Sequence, residues 1–206
     1  MADACCSSLR DAARRGHADC VRRLREGGTE PWLPEYVLET AARCGHVAVM
    51  SFALEAGAVL TPAVMRCLVN GLLCEGGGGS YAALDFALER ERADVPWPPD
   101  VAEMCVDARR FTLLEHLLGR RTSPPPMDIS MSRARRILFN CCRTPRERRI
   151  ALAAMDPAFV YWLWNAADLS PVLFEAGQPP PGLTVSEGEV RGYLDKIGAN
   201  NPRWSQ

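Results

Sequence analysis

Apolar residues in the first third of the chain recur at helical rather than strand spacing. Leu9, Ala12 and Ala13 are followed by Cys20, Val21 and Leu24. Further on, Leu38, Ala41 and Ala42 are followed by Val49, Met50 and Ala53. Each set steps by one, three or four residues, which paints one stripe on an amphipathic helix. Gly16-His17 and Gly45-His46 interrupt the stripes, and Gly28 and Gly57 stop them. Glycine accepts positive φ without a steric cost, so it closes a helix in a tight turn. The pattern predicts a unit of helix, tight turn, helix and loop. Two such units align without gaps at an offset of 29, through Leu9/Leu38, Ala12/Ala41, Ala13/Ala42, Arg14/Arg43, Gly16/Gly45, His17/His46, Glu26/Glu55 and Gly28/Gly57. The alanine pairs allow a neighbouring helix close. The histidine after the turn glycine is placed to hydrogen-bond loop backbone. A pair of helices this short cannot hide its own stripe, so the units must stack.

A second signature marks where units begin. Pro31-Trp32-Leu33-Pro34-Glu35 returns as Pro96-Trp97-Pro98-Pro99-Asp100, and Thr61-Pro62, Thr144-Pro145 and Asp156-Pro157 share its logic. Thr or Asp caps a helix, and Pro fits the first helical position, where an N–H is not needed. A third copy lies 93 residues after the first, with Cys105-Val106, Leu113-Leu114 and Leu117-Leu118 in the apolar positions and Arg109-Arg110 in place of Gly-His. The helix pairs expected along the chain are 8–15 with 18–26, 35–43 with 47–56, 62–73 with 80–91, 100–108 with 111–119, 131–142 with 145–154, and 157–166 with 169–176, followed by a capping helix at 186–197. Gly76 to Gly79 form a flexible insertion, since four glycines cannot hold a helix. Pro124-Pro125-Pro126 and Pro179-Pro180-Pro181 read as exposed linkers with polyproline character.

The frame Ala-Ala-x-x-Gly-His-x-x-Val-x-x-x-Leu-x-x-Gly resembles the helix pair of the ankyrin-repeat superfamily. With Trp32 and Trp97 after proline between units, it is similar to a divergent branch of Gly-His…Pro-Trp repeats found in giant DNA viruses and algae. The resemblance covers residues 8–60 and 96–121. It implies an all-α solenoid of about six or seven degenerate ankyrin-like helix-turn-helix repeats. It divides the chain into ankyrin-like repeats over 1–121, a Pro-rich linker at 122–130, degenerate helix pairs over 131–177, and a linker, cap and tail over 178–206. It also implies a non-catalytic scaffold or adaptor that binds proteins of unknown identity, a viral protein engaging host proteins among them. Candidate contacts then lie in the loops between units, at Glu30, Trp32, Glu35, Val59, Trp97 and Asp100.

Composition fits a folded chain: 48% hydrophobic and 24% charged residues over 206 positions, with a formal net charge of −1. No uncharged apolar run approaches the length of a membrane span, so no membrane role is expected. Charge is uneven locally. Between Met131 and Ile150 lie Arg133, Arg135, Arg136, Arg143, Arg146, Arg148 and Arg149 against Glu147 alone. Arginine forks suit carboxylates and phosphates alike. The cluster therefore offers a surface for an acidic protein partner or, as the alternative, for nucleic acid or a nuclear-import receptor. A solvated helix face in an arginine-rich chain, with a single lysine at Lys196, is the simpler account. Trp162 and Trp164, within a densely aromatic run, are candidate partner anchors. Ser123, in Arg120-Arg121-Thr122-Ser123-Pro124, resembles a kinase site.

Chemistry is otherwise sparse. No phosphate-loop motif and no paired carboxylates stand out, so no catalytic residue and no cofactor is expected. Nine cysteines are present, none spaced Cys-x-x-Cys, and most fall at apolar helix positions. They read as reduced, buried packing residues of a cytoplasmic or nuclear protein, and no metal site is expected. His17 and His46 occupy the same place in successive units, as turn histidines do.

Overall fold

The computed structural model describes residues 5–28, 30–74, 78–91, 96–120 and 123–160. Among them the fold is all-α, with no β-strand; Met127 and Met155 form one isolated bridge. The helices are α1 (Leu9–Arg15), α2 (Ala18–Glu26), α3 (Pro34–Cys44), α4 (Val47–Glu55), α5 (Pro62–Leu73), α6 (Tyr81–Glu91), α7 (Val101–Asp107), α8 (Phe111–Leu118), α9 (Met131–Arg136) and α10 (Pro145–Ala153). A π-helical turn, Ile137–Cys141, continues α9. The expected sixth pair beyond residue 160, Trp162, Trp164, the second linker and the capping helix lie outside the described residues.

Local chemistry sets the helix starts. Ser8, Thr61, Ser130 and Thr144 each accept a hydrogen bond on the side-chain oxygen from the backbone N–H three residues on. Glu147 completes a capping box on Thr144, and Pro34, Pro62 and Pro145 occupy first-turn positions. α2, α4 and α8 begin without a side-chain cap, because the turn before each supplies the geometry instead.

That turn occurs three times with one hydrogen-bond pattern. Gly16 and Gly45 sit in the left-handed region at φ 77° and 75°, and Arg109 joins them at φ 55°. The N–H of His17 donates to Ala12, that of His46 to Ala41, and that of Arg110 to Cys105. Gly-His at two of these turns and Arg-Arg at the third follow the same backbone path.

The chain divides into two compact units, residues 1–101 and 102–206. In the first, α1 packs on α3 and α3 on α5, while α2 packs on α4 and α4 on α6; each odd helix also packs on the even helix that follows it. α3 is therefore flanked on three sides, and Val37, Leu38, Ala41 and Ala42 are fully buried. Burying a side chain such as Leu38 contributes about 1.5–3 kcal/mol. The small-residue positions set the spacing. Gly71, 29 residues after Ala42, lies so near the end of α3 that a Cβ there would fall 2.1 Å from the Arg43 carbonyl oxygen.

In the second unit, α8 packs on α10, and α10 on the π-helical turn. Phe111, Leu114, Leu117, Ile137, Leu138 and Leu152 form its core. The described part of the expected linker, 123–130, lies within this unit and is not uniformly exposed. Pro124, Met127 and Ile129 are buried, and the Met127 N–H donates to the Ala154 carbonyl at 2.7 Å. Met127 and Ile129, which follow the prolines, anchor the segment.

Candidate functional site

The loops between units carry both structural and free-standing side chains. Glu30 accepts from the Leu9 N–H at 3.0 Å and so closes the start of α1 from the following loop. Trp32 is half-buried, edge-on to Phe52 with ring centroids 5.9 Å apart, and the Arg25 guanidinium lies 4.9 Å from its ring centre. Such a cation–π contact adds to packing. Asp100 was expected to face a partner; instead both its oxygens accept from Arg66 at 2.7 Å, which holds its carboxyl below the usual carboxylate range. Trp97 is half-buried. Of the expected loop contacts, Glu35 and Val59 remain exposed, and the fold adds three that sequence reading passed over: Leu33, Tyr36 and Tyr81. Val59 is 61% exposed and Leu33 57%. The signal for Leu33 was available, because it stands at the cap of α3, off the helical stripe.

The arginine cluster is less naked in space than along the chain. Arg133 pairs with Asp107 and lies 3.7 Å from Glu103, both on α7. Arg146 donates to Glu115 of α8 at 2.7 Å. Arg148 is half-buried. Glu147 spends its carboxylate on the backbone N–H of Thr144 and Arg143. Arg135, Arg136, Arg143 and Arg149 are exposed, and Phe139 stands half-exposed on the π-helical turn among them. Counting charge along one segment missed the acids that α7 and α8 bring to it. Ser123 is exposed.

The thiols were read as scattered packing residues, and for four side chains near the start of the chain the fold says otherwise. Cys5, Cys6, His17 and Cys20 place their donor atoms within 4.8 Å of one another. The Cys5 sulfur is 3.7 Å from that of Cys6, 3.2 Å from that of Cys20 and 3.2 Å from His17 Nδ1, and Cys6 Sγ is 3.1 Å from the same nitrogen. His17 and Cys20 are the cap and third residue of α2, so its first turn brings them to one side. The segment before α1 folds back to supply the vicinal pair. Burial pushes the Cys6 thiol up to about 12, whereas hydrogen bonding to Cys20 and Cys6, with Arg23 nearby, draws that of Cys5 below its ordinary value. The spacing is Cys-Cys, ten residues, then His-x-x-Cys; a search for Cys-x-x-Cys alone does not find it.

His46 occupies the matching position in the next unit and does something different. Its Nε2 donates to the Arg14 carbonyl at 2.8 Å, and its ring lies flat against Gly16, where a Cβ would meet Nδ1 at 2.6 Å. It latches its own turn to the turn before.

No protein-family model matches the chain, and no curated protein or solved structure matches it either. Among the described residues no helix is long and apolar enough to cross a membrane.

Proposed function

We propose that the chain is a non-catalytic protein-interaction scaffold built from stacked ankyrin-like helix pairs. The observation that carries this reading is the exposure of Leu33, Tyr36 and Val59 at the junctions between consecutive helix pairs, with Tyr81 exposed at the start of α6. Leu33 and Val59 are more than half exposed and Tyr36 and Tyr81 about two-fifths, and apolar surface gathered at such junctions suits a protein partner. The support beneath them is rigid. The same turn recurs at Gly16, Gly45 and Arg109, and the His46 latch ties one turn to its neighbour. A prebuilt surface loses little entropy on binding. The partner on this reading is a protein presenting apolar side chains to the loops between α2 and α3 and between α4 and α5.

The experiment is affinity capture with quantitative mass spectrometry, using the full chain beside a Leu33→Asp/Val59→Asp variant. A protein retained by the first and lost from the second, with unchanged circular dichroism, supports the reading. Equal capture by both overturns it. A second reading, nucleic-acid binding, draws on exposed Phe139 among Arg135, Arg136, Arg143 and Arg149. Neutralisation of Arg133 and Arg146 within the fold weakens it. It requires an affinity for nucleic acid that falls steeply with salt and is abolished by Arg136→Glu/Arg149→Glu.

A further inference from the structure

We propose that Cys5, Cys6, His17 and Cys20 form a structural zinc site of the three-thiolate, one-imidazole type at the start of the helix array. The donor set is the first argument. Four soft ligands of this composition are what a closed tetrahedral zinc site takes. Geometry is the second. Zinc–sulfur bonds near 2.3 Å and zinc–nitrogen bonds near 2.0–2.1 Å give a tetrahedron with sulfur–sulfur edges of about 3.8 Å and sulfur–nitrogen edges of about 3.6 Å. The contacts of 3.7, 3.2, 3.2 and 3.1 Å lie at or just inside those edges, and the remaining donor pairs stay within 4.8 Å. Side-chain adjustments of about half an ångström bring these contacts to the edges of such a tetrahedron.

Position in the fold is the third argument. His46 spends its imidazole on the preceding turn, through Arg14 and Gly16. His17 holds the same place in the first unit, and its Nδ1 turns to sulfur instead. A metal ion here would join the Cys5-Cys6 segment to the first turn of α2.

The experiment measures metal in the full chain purified under reducing conditions, by elemental mass spectrometry, followed by reconstitution with cobalt(II). The expected result is one zinc per chain and a tetrahedral cobalt spectrum whose sulfur-to-metal charge-transfer intensity corresponds to three thiolates. Cys5→Ser at an exposed position and Cys20→Ser at a half-buried one should each weaken binding by more than the roughly 10–100-fold that loss of an outer-shell partner costs. Cys44→Ser and Cys74→Ser should leave it unchanged. Absence of stoichiometric metal in the reduced wild-type chain, an octahedral cobalt spectrum, or equal binding by Cys5→Ser/Cys20→Ser overturns the proposal. So does a Cys5–Cys20 disulfide as the stable form in the presence of both zinc and reductant.

Discussion

Replacing Gly16 with alanine tests whether the His46 latch holds one unit to the next. Two costs add at this position. Alanine at φ 77° sits in the left-handed region, a penalty of about 1–2 kcal/mol. The stiffer unfolded chain returns about 0.4–1 kcal/mol of it. The second cost is contact. The new Cβ would stand 2.6 Å from His46 Nδ1, and the ring is held there by its bond to the Arg14 carbonyl. Pushing it away forfeits that bond, about 1 kcal/mol, and strains the packing by about 1–3 kcal/mol. Gly16→Ala should therefore destabilise the first unit by about 2–6 kcal/mol. Gly28 is the control, since it has φ 61° and no atom within 4 Å of an added Cβ; Gly28→Ala should cost only about 0.5–1 kcal/mol. Urea unfolding followed by far-ultraviolet circular dichroism measures both. In a His46→Ala background Gly16→Ala should fall to the control value, leaving a coupling energy of about 2–4 kcal/mol. A coupling below about 0.5 kcal/mol, or equal losses from Gly16→Ala and Gly28→Ala, refutes the latch.

Two further outcomes follow from the charges and thiols. The folded chain lowers the Asp100 carboxyl below its ordinary 3.8 through Arg66, so this pair's stabilisation is fully present above that value and is lost as pH falls through the lower folded one. Acid titration of stability should be shallower in Asp100→Asn than in the wild type over that window, and an identical slope contradicts the assignment. Burial pushes the Cys105 and Cys142 thiols up to about 12, so iodoacetamide at mildly alkaline pH should label exposed Cys74 and spare both until denaturant is added. Peptide mapping by mass spectrometry reads the difference, and rapid native labelling of Cys105 contradicts it.

The helices were legible because their information is local. Stripe spacing, Ser, Thr and Pro at the starts, and Gly16 and Gly45 at the ends lie within a few residues of what they determine. Ten helices and the π-helical turn fall close to the expected segments through residue 154. The sites were less legible because they depend on who meets whom. Trp32 and Asp100 look alike as loop residues, yet Phe52 and Arg66 claim them from 20 and 34 positions away. The charge of Arg133 depends on α7, which lies 26 positions back at Asp107. The thiol–imidazole cluster needs the leading segment to fold back over α2, and neither Cys5-Cys6 nor His17-x-x-Cys20 announces that by itself. In each case the missing quantity is a contact between elements, which periodicity along one element does not contain.

Arg109 carries a consequence for how this molecule is compared with others. It adopts the conformation that glycine takes at residues 16 and 45, while its side chain reaches the Asn140 carbonyl at 2.8 Å. Among the described residues the letters Gly-His mark two of these turns, whereas backbone torsions mark three. Likeness of this kind is written in the path of the main chain, and tracing it calls for matching dihedral signatures rather than letters.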